Sequence, residues 1–334
     1  MSLSIKGAEI AVGSVLLSNE DIAREYLNED SNELSREYII DSLEKVGKGN
    51  RYHCDNGENT LTLGAEACDK LLDKHNLKGE DIDMIIFASR YPEFTLPTQA
   101  LALHRHIRGK DDCITFDLTC NCLGTLIAMD VANRYAKDLN GSIKRVILVG
   151  ADYWSHRLRK EDLIVYGGAG DGACAVLLEY TDEENTGVLD SVSKTVSLEA
   201  YGCLYPECGN SSIENYSGDV LKTSWTSHDT LLSINAVKDS LNTILDKHNL
   251  SADDIDWFCG SQFAKPFFYD IGEACGVSES KCIYVGDKYG YTGTSSPLFS
   301  LNQGLKDGRI KKGDLVFIAT VGVGFTVCST LVRI

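Results

Sequence analysis

Short apolar runs recur along the chain, at 84–88, 113–118, 145–149, 173–178, 257–259, 315–319 and 326–332. Each is bounded by polar or glycine residues and is too short for a helix, so each predicts a strand buried on both faces. Between them, apolar residues fall at helical spacing: Leu71, Leu72 and His75 in one segment, and Leu241, Ile244 and Leu245 in another. A third helix is predicted over 123–139. Helices alternating with buried strands predict an α/β protein whose largely parallel sheet is covered on both sides.

The pattern repeats. Asp73-Lys-His-Asn-Leu77 recurs as Asp246-Lys-His-Asn-Leu250, and each copy is followed by Asp-Ile-Asp, at 81–83 and at 254–256. The offset is 173 residues, about half of the 334. In-register matches of this kind predict a duplication, with one half over 1–180 and the other over 181–334. The same offset carries Cys122 onto Ser295, inside Gly290-Tyr-Thr-Gly-Thr-Ser-Ser296. Each half thus has a turn of small residues opening a helix at the same place. His75 and His248 occupy matching helix positions, which predicts a packing role.

Composition narrows the function. The formal net charge is −17, which repels nucleic acid and anionic membrane surfaces at long range. Three small basic groups (Arg105, Arg108 and Lys110; Arg157, Arg159 and Lys160; Lys306, Arg309, Lys311 and Lys312) read as solvated surface. No apolar run is long enough to span a membrane, and no secretion signal is visible. The twelve cysteines lie largely in apolar segments, as Cys113, Cys174, Cys282 and Cys328 do. They read as small buried hydrophobes in a reducing, cytoplasmic setting rather than as a disulfide framework. Neither paired Cys-x-x-Cys units nor His-x-x-x-His occurs, so no metal site is expected.

The stretch Phe116-Asp-Leu-Thr-Cys-Asn-Cys-Leu-Gly124 runs from a predicted strand into a predicted helix. At a helix N-terminus, unpaired amides and the helix dipole favour a thiolate. They also stabilise an oxyanion on an attached thioester. A thiolate so placed can attack an acyl thioester and hold the acyl group. The spacing alone leaves Cys122 and Cys120 in competition. It also leaves open a Cys-x-Cys redox pair and a buried structural cysteine.

Longer stretches carry a resemblance. Residues 81–100 (DIDMIIFASRYPEFTLPTQA), 116–132 (FDLTCNCLGTLIAMDVA) and 169–179 (AGDGACAVLLE) resemble segments of the β-ketoacyl-acyl-carrier-protein synthase III family, of the thiolase superfamily. So do 288–297 (KYGYTGTSSP) and 311–332 (KKGDLVFIATVGVGFTVCSTLV). The resemblance implies a thiolase-like five-layered αβαβα fold made of two similar halves. It further implies a homodimer, a site at the end of a narrow tunnel, and Cys122 as the reactive cysteine. Acyl-CoA or acyl-carrier protein would be the substrate, with no separate cofactor.

The resemblance also implies a Cys-His-Asn triad, and here the chain departs from it. The histidine position falls on Ser261, in the stretch 257–264 (WFCGSQFA), and the asparagine position on Tyr291. Losing one preorganised donor typically costs roughly 10² to 10³ in rate, so decarboxylative condensation should be impaired. Acyl loading should survive, because the implied oxyanion hole uses backbone amides, those of Cys122 and Val323. His156 is a candidate substitute base, with His104 and His106 more remote alternatives. Arg51 matches an arginine implied to meet the CoA nucleotide, and Lys265 is the cation nearest the lost histidine. The leading expectation is an acyltransferase loaded at Cys122. Two rivals remain: a non-catalytic subunit paired with an active paralogue, and an ordinary synthase of fatty-acid or polyketide biosynthesis with a variant triad.

Overall fold

A computed structural model of the chain describes residues 2–28, 33–138, 142–197, 201–226 and 229–334. Its strands, in chain order, are β1 (Ser2–Val12), β2 (Val15–Ser18), β3 (Asn50–His53), β4 (Met84–Ala88), β5 (Ile114–Leu118) and β6 (Arg145–Asp152). They continue with β7 (Gly172–Thr181), β8 (Gly187–Thr195), β9 (Trp257–Gly260), β10 (Leu315–Gly322) and β11 (Thr326–Arg333). One sheet has the order β1-β7-β6-β4-β5 and the other β8-β11-β10-β9, with β2 and β3 as a small separate pair. A lone parallel bridge from Phe258 to Cys282 stands where β5 stands beside β4. The two sheets therefore share one strand order.

Helix Gly124–Asp138 and helix Ser296–Lys306 lie between the sheets. The core there joins Leu126, Met129 and Ala132 of the first helix to Leu298 and Leu301 of the second, with Val146 and Val176 on one side and Val316 and Cys328 on the other. Outside the first sheet, Leu63, Ala67 and Leu71 of helix Thr60–His75 cover Ile85, Phe87 and Ile147. Outside the second, Val237, Leu241 and Ile244 of helix Thr230–His248 cover Phe258, Phe317 and Leu331. Helix, sheet, helix, sheet, helix is the five-layered thiolase-like arrangement.

The repeat motif has a structural cause. Both outer helices end on a left-handed asparagine, Asn76 (φ 52°) and Asn249 (φ 52°), a conformation that asparagine tolerates better than most residues. In the next turn the first aspartate caps a short 3-10 helix: Asp81 accepts from the Lys78 amide and Asp254 from the Ser251 amide. The central isoleucine, Ile82 or Ile255, is fully buried. The second aspartate receives the first amide of the neighbouring strand, Arg145 N–H to Asp83 and Leu315 N–H to Asp256. The asparagine and the Asp-Ile-Asp of each copy thus tie a helix end to the sheet beside it.

Two expectations change. The sheets are mixed rather than largely parallel: β1 and β6 both pair antiparallel with β7, as β8 and β10 do with β11. For β10 and β11 the reason is the tight turn through Gly324 (φ 81°) and Phe325 (φ 56°), since a short hairpin joins only antiparallel strands. The central helix begins at Gly124, one residue later than predicted, and Leu139 lies outside the described residues. His75 does pack, its Nε2 standing 2.3 Å from where a Cβ on Gly7 would be.

Candidate active site

Cys122 sits on the turn between β5 and the first central helix and is only 4% exposed. The turn needs a left-handed residue, supplied by Asn121 at φ 49°. The other half of the chain pins it. The Thr320 hydroxyl donates to the Cys122 carbonyl at 3.2 Å, and the Thr294 hydroxyl to the Asn121 carbonyl at 3.3 Å. Asn121 Nδ2 donates to the Val323 carbonyl at 3.3 Å, joining the nucleophile turn to the β10–β11 turn. The sulfur faces a cavity of about 40 Å³ whose wall includes Ser261, Tyr291 and Val323. Cys122, Ser261, Tyr291 and Val323, predicted from four distant stretches, thus meet on one surface.

Tyr291 is 5% exposed and forms part of the cavity wall. Its hydroxyl interacts with both the Cys122 sulfur and the Ser261 side chain. Burial, reinforced by the Cys122 charge, holds that hydroxyl well above the ordinary tyrosine range, so it remains a donor. Its ring stands edge-on to Trp154 at 5.5 Å and to Phe263 at 5.4 Å. Gly290 must be glycine: φ is +69°, and a Cβ would meet the Gly168 carbonyl at 2.9 Å. Ser261 is held by its neighbour Gln262, whose amide donates to Ser296 Oγ and whose Oε1 accepts from the Val285 and Gly286 amides.

The other predicted residues are not on the cavity wall. His156 is off the cavity wall, its ring 3.8 Å from that of Tyr153. Burial and the Arg157 charge push its imidazole down to about 4, so it is neutral and a weak base near pH 7. Arg51 has no exposed surface and donates from Nη2 to Asn19 at 2.7 Å, so it meets no external nucleotide. It lies on β3 with its side chain turned inward between exposed and half-buried neighbours, which motif matching alone does not distinguish. Lys265 is exposed on the first turn of helix Lys265–Ala274, beside Ala264, which lines an apolar groove of about 410 Å³. That groove shares Trp225, Phe263 and Phe267 with the cavity wall. His104 is bonded to the Lys110 carbonyl and His106 to Asp69, both away from the sulfur.

The residue that motif reading overlooked is Arg90. It follows the end of β4 and its Nη1 donates to Cys122 Sγ at 3.6 Å. Its Nε and its backbone amide both donate to Asp152, at 3.0 and 2.8 Å. Asp152 is itself fully buried at the end of β6. The guanidinium carbon lies 4.3 Å from the Trp154 ring centroid, a cation–π distance. Burial opposes the charge, but Asp152 and the Cys122 sulfur outweigh it and hold Arg90 protonated. The one signal in the sequence was position: Arg90 follows, and Asp152 ends, an apolar run that predicts a buried strand, and α/β folds place their sites at the carboxyl ends of strands.

Behind Ser261 lies an unusual cation. Lys48 is 3% exposed, and its ammonium donates to the Gln262 carbonyl at 2.6 Å. Burial, then the Arg51 charge, lowers it to about 7. An unfolded lysine keeps its proton to about pH 10. Between those limits the unfolded chain binds more protons, so stability rises with pH. Urea unfolding at pH 7 and pH 9 should show this rise in the wild type and a smaller one in Lys48→Met. Equal slopes would contradict the assignment.

Two sheets around paired central helices, with a buried thiol at the head of one of them, define a thiolase-type protein with a cysteine site. Models of the 3-oxoacyl-[acyl-carrier-protein] synthase III family match residues 116–197 and, for its C-terminal part, 245–334. The chain is 30% identical over 332 residues to β-ketoacyl-[acyl-carrier-protein] synthase III of Erythrobacter litoralis, covering 99% of this chain and 98% of that one. With the enzyme of the same name from Bartonella bacilliformis it shares 28% over 337 residues, covering 98% and 99%. It belongs to the β-ketoacyl-[acyl-carrier-protein] synthase III family of the thiolase superfamily. Among solved structures, the synthase III of Aquifex aeolicus has the same fold, with a TM-score of 0.83 at 21% identity over 99% of this chain and 100% of that one. Cerulenin-bound OleA of Xanthomonas campestris superposes with a TM-score of 0.80 at 17% identity, covering 100% and 99%.

Proposed function

We propose that this chain is an acyltransferase that takes an acyl group from acyl-CoA or acyl-carrier protein onto Cys122, and that its condensation step is not the usual His/Asn-assisted decarboxylation. The observation that carries this reading is the Cys122 sulfur on a cavity wall facing two donors, Arg90 and Tyr291, with the Val323 turn on the same wall. In the loading step the sulfur bonds to the thioester carbonyl carbon and the bond to the departing sulfur breaks. The Cys122 proton passes to solvent, and the departing thiolate takes one up from solvent. The groove outside Trp225, Phe263 and Phe267 is apolar enough for a pantetheine arm, with the exposed Lys265 beside it. The cavity, about 40 Å³, is the size of a few water molecules, which favours a short acyl chain.

The wall holds no histidine and no carboxylate among the described residues, so nothing there removes a proton from a hydroxyl acceptor. The acceptor therefore arrives already nucleophilic. The edge strand β5 has no partner on its outer side among the described residues, and Phe94 (51% exposed), Leu96 (88%) and Leu101 (48%) are exposed before and on the helix packed against it. An unpaired edge with apolar surface suits a second copy of this chain. All twelve cysteines are free, and no described helix is long and apolar enough to cross a membrane, which suits a cytoplasmic protein.

Intact-protein mass spectrometry after incubation with acetyl-, butyryl- and octanoyl-CoA tests the reading. The expected result is one acyl adduct per chain, mapped to Cys122 and fastest with the shortest chain. No adduct from any donor, including acyl-carrier protein, would sink it and favour a non-catalytic subunit. Native mass spectra of the same samples should show a homodimer; a stable complex with a paralogue would contradict that.

A further inference from the structure

Three features of Arg90 need an explanation. It is the single cation on the cavity wall among the described residues, and its Nη1 is directed at the reacting sulfur. Its Nη2 is buried without a hydrogen-bond partner. It is also seated with unusual care. Asp152 accepts from Arg90 twice, from the Ser89 hydroxyl and from the Thr294 amide, so the carboxylate is fully engaged and cannot swing away. Gly293 closes the seat from the other half of the chain: a Cβ there would stand 2.0 Å from Arg90 Nη2 and 2.3 Å from Asp152 Oδ2.

A purely structural ion pair does not need this arrangement. Asp152 alone would balance Arg90, and a bidentate pairing would engage two of its guanidinium nitrogens at once. Instead only Nε is bonded to the carboxylate, and the Nη1 end is left for the sulfur. We propose that Arg90 is a catalytic residue of this acyltransferase, with Asp152 as its positioning residue. The guanidinium carries the negative charge of the Cys122 sulfur before attack and of the thioester oxygen as the tetrahedral intermediate forms. This inference rests on the acyl-transfer reading given above.

The step balances without a further reactant. The Cys122 proton leaves to solvent, because no wall residue can hold it, and the sulfur–carbonyl bond forms. The carbonyl electron pair moves onto oxygen and returns as the bond to the donor sulfur breaks. That sulfur recovers a proton from solvent. Arg90 stays charged throughout, which a guanidinium does and an imidazole does not. A preorganised charge in a water-poor cavity needs no reorganisation as the oxyanion appears.

Arg90→Gln, Arg90→Lys and Asp152→Asn test the assignment, using two readouts on the full chain. The first is iodoacetamide alkylation of Cys122, followed by peptide mass across pH 5–10. The second is acetyl loading from acetyl-CoA. Arg90→Gln should slow alkylation at pH 7 about tenfold or more, with the pH profile displaced upward. It should slow loading by roughly 10² to 10³. Arg90→Lys should recover part of both, and Asp152→Asn should fall between Lys and Gln. Should the Gln variant fail to fold, the Lys variant against wild type decides, because a point charge on a shorter stem must still slow loading. Wild-type alkylation and loading rates in Arg90→Gln would overturn the proposal. If the wild type takes no acyl group while Arg90→Gln still slows alkylation, acyl transfer fails and the charge role of Arg90 stands. If the wild type loads and Arg90→Gln loads equally fast, the reverse holds.

Discussion

Cys122→Ala is expected to eliminate the acyl adduct and to lower acyl transfer by at least about 10⁴-fold, while leaving the fold intact. The side chain is 4% exposed, and alanine removes only the sulfur, so little packing is disturbed. Eleven cysteines remain, and none is placed to substitute. Cys120 is two residues away, but burial raises its thiol above the ordinary range. Cys203 is close enough to feel Arg90 and Cys122, yet burial dominates and pushes it up to about 11. Cys174 and Cys259, within the sheets, are pushed higher still by burial. A thiol held neutral at pH 7 is a poor nucleophile. Intact mass after exposure to acyl-CoA reads the outcome directly. An adduct on Cys122→Ala forming at the wild-type rate would move the nucleophile elsewhere.

The double substitution Ser261→His with Tyr291→Asn should raise decarboxylation of a malonyl thioester by roughly 10² to 10³. The reason lies in what the two native side chains do. Ser261 and the Tyr291 hydroxyl engage each other and the Cys122 sulfur, so their donors are already committed. The Tyr291 ring also occupies the space between Trp154 and Phe263 on the cavity wall, which an asparagine would open. An imidazole and a carboxamide at these positions would offer free donors to that oxygen as it becomes negative. The change is not benign for stability. Removing a ring that is 5% exposed leaves a cavity, and Tyr291→Asn alone should cost about 3–5 kcal/mol. Histidine at 261 refills part of it, so the double variant should be more stable than Tyr291→Asn. Release of labelled CO2 measures the gain, and urea unfolding measures the loss. A double variant no faster than wild type would mean that Arg90 and Tyr291 already do this work.

Much of the architecture was legible because its causes are local. Buried strands appear as short apolar runs. The left-handed asparagines and the capping aspartates sit within a few residues of the groups they satisfy, so the duplication shows in the letters themselves. Antiparallel pairing was less legible, since β1 mixes polar and apolar residues over Ser2–Val12 and its partner β7 is far along the chain. Arg51 illustrates the opposite failure: a motif position suggested a ligand, whereas the fold closes over it completely.

The site divides along the same line. That a cysteine stands where a strand runs into a helix, the sequence alone determined, because that is a statement about position within one short stretch. Which charge faces the sulfur was decided only by the tertiary structure. Arg90 is 32 residues from Cys122 and 62 from Asp152, and no local pattern links them. They meet because β4 lies between β5 and β6 in parallel register, so residues at or just past the carboxyl ends of three strands converge at one end of the sheet. Burial there then makes a single guanidinium matter, since its charge is weakly screened where water is excluded.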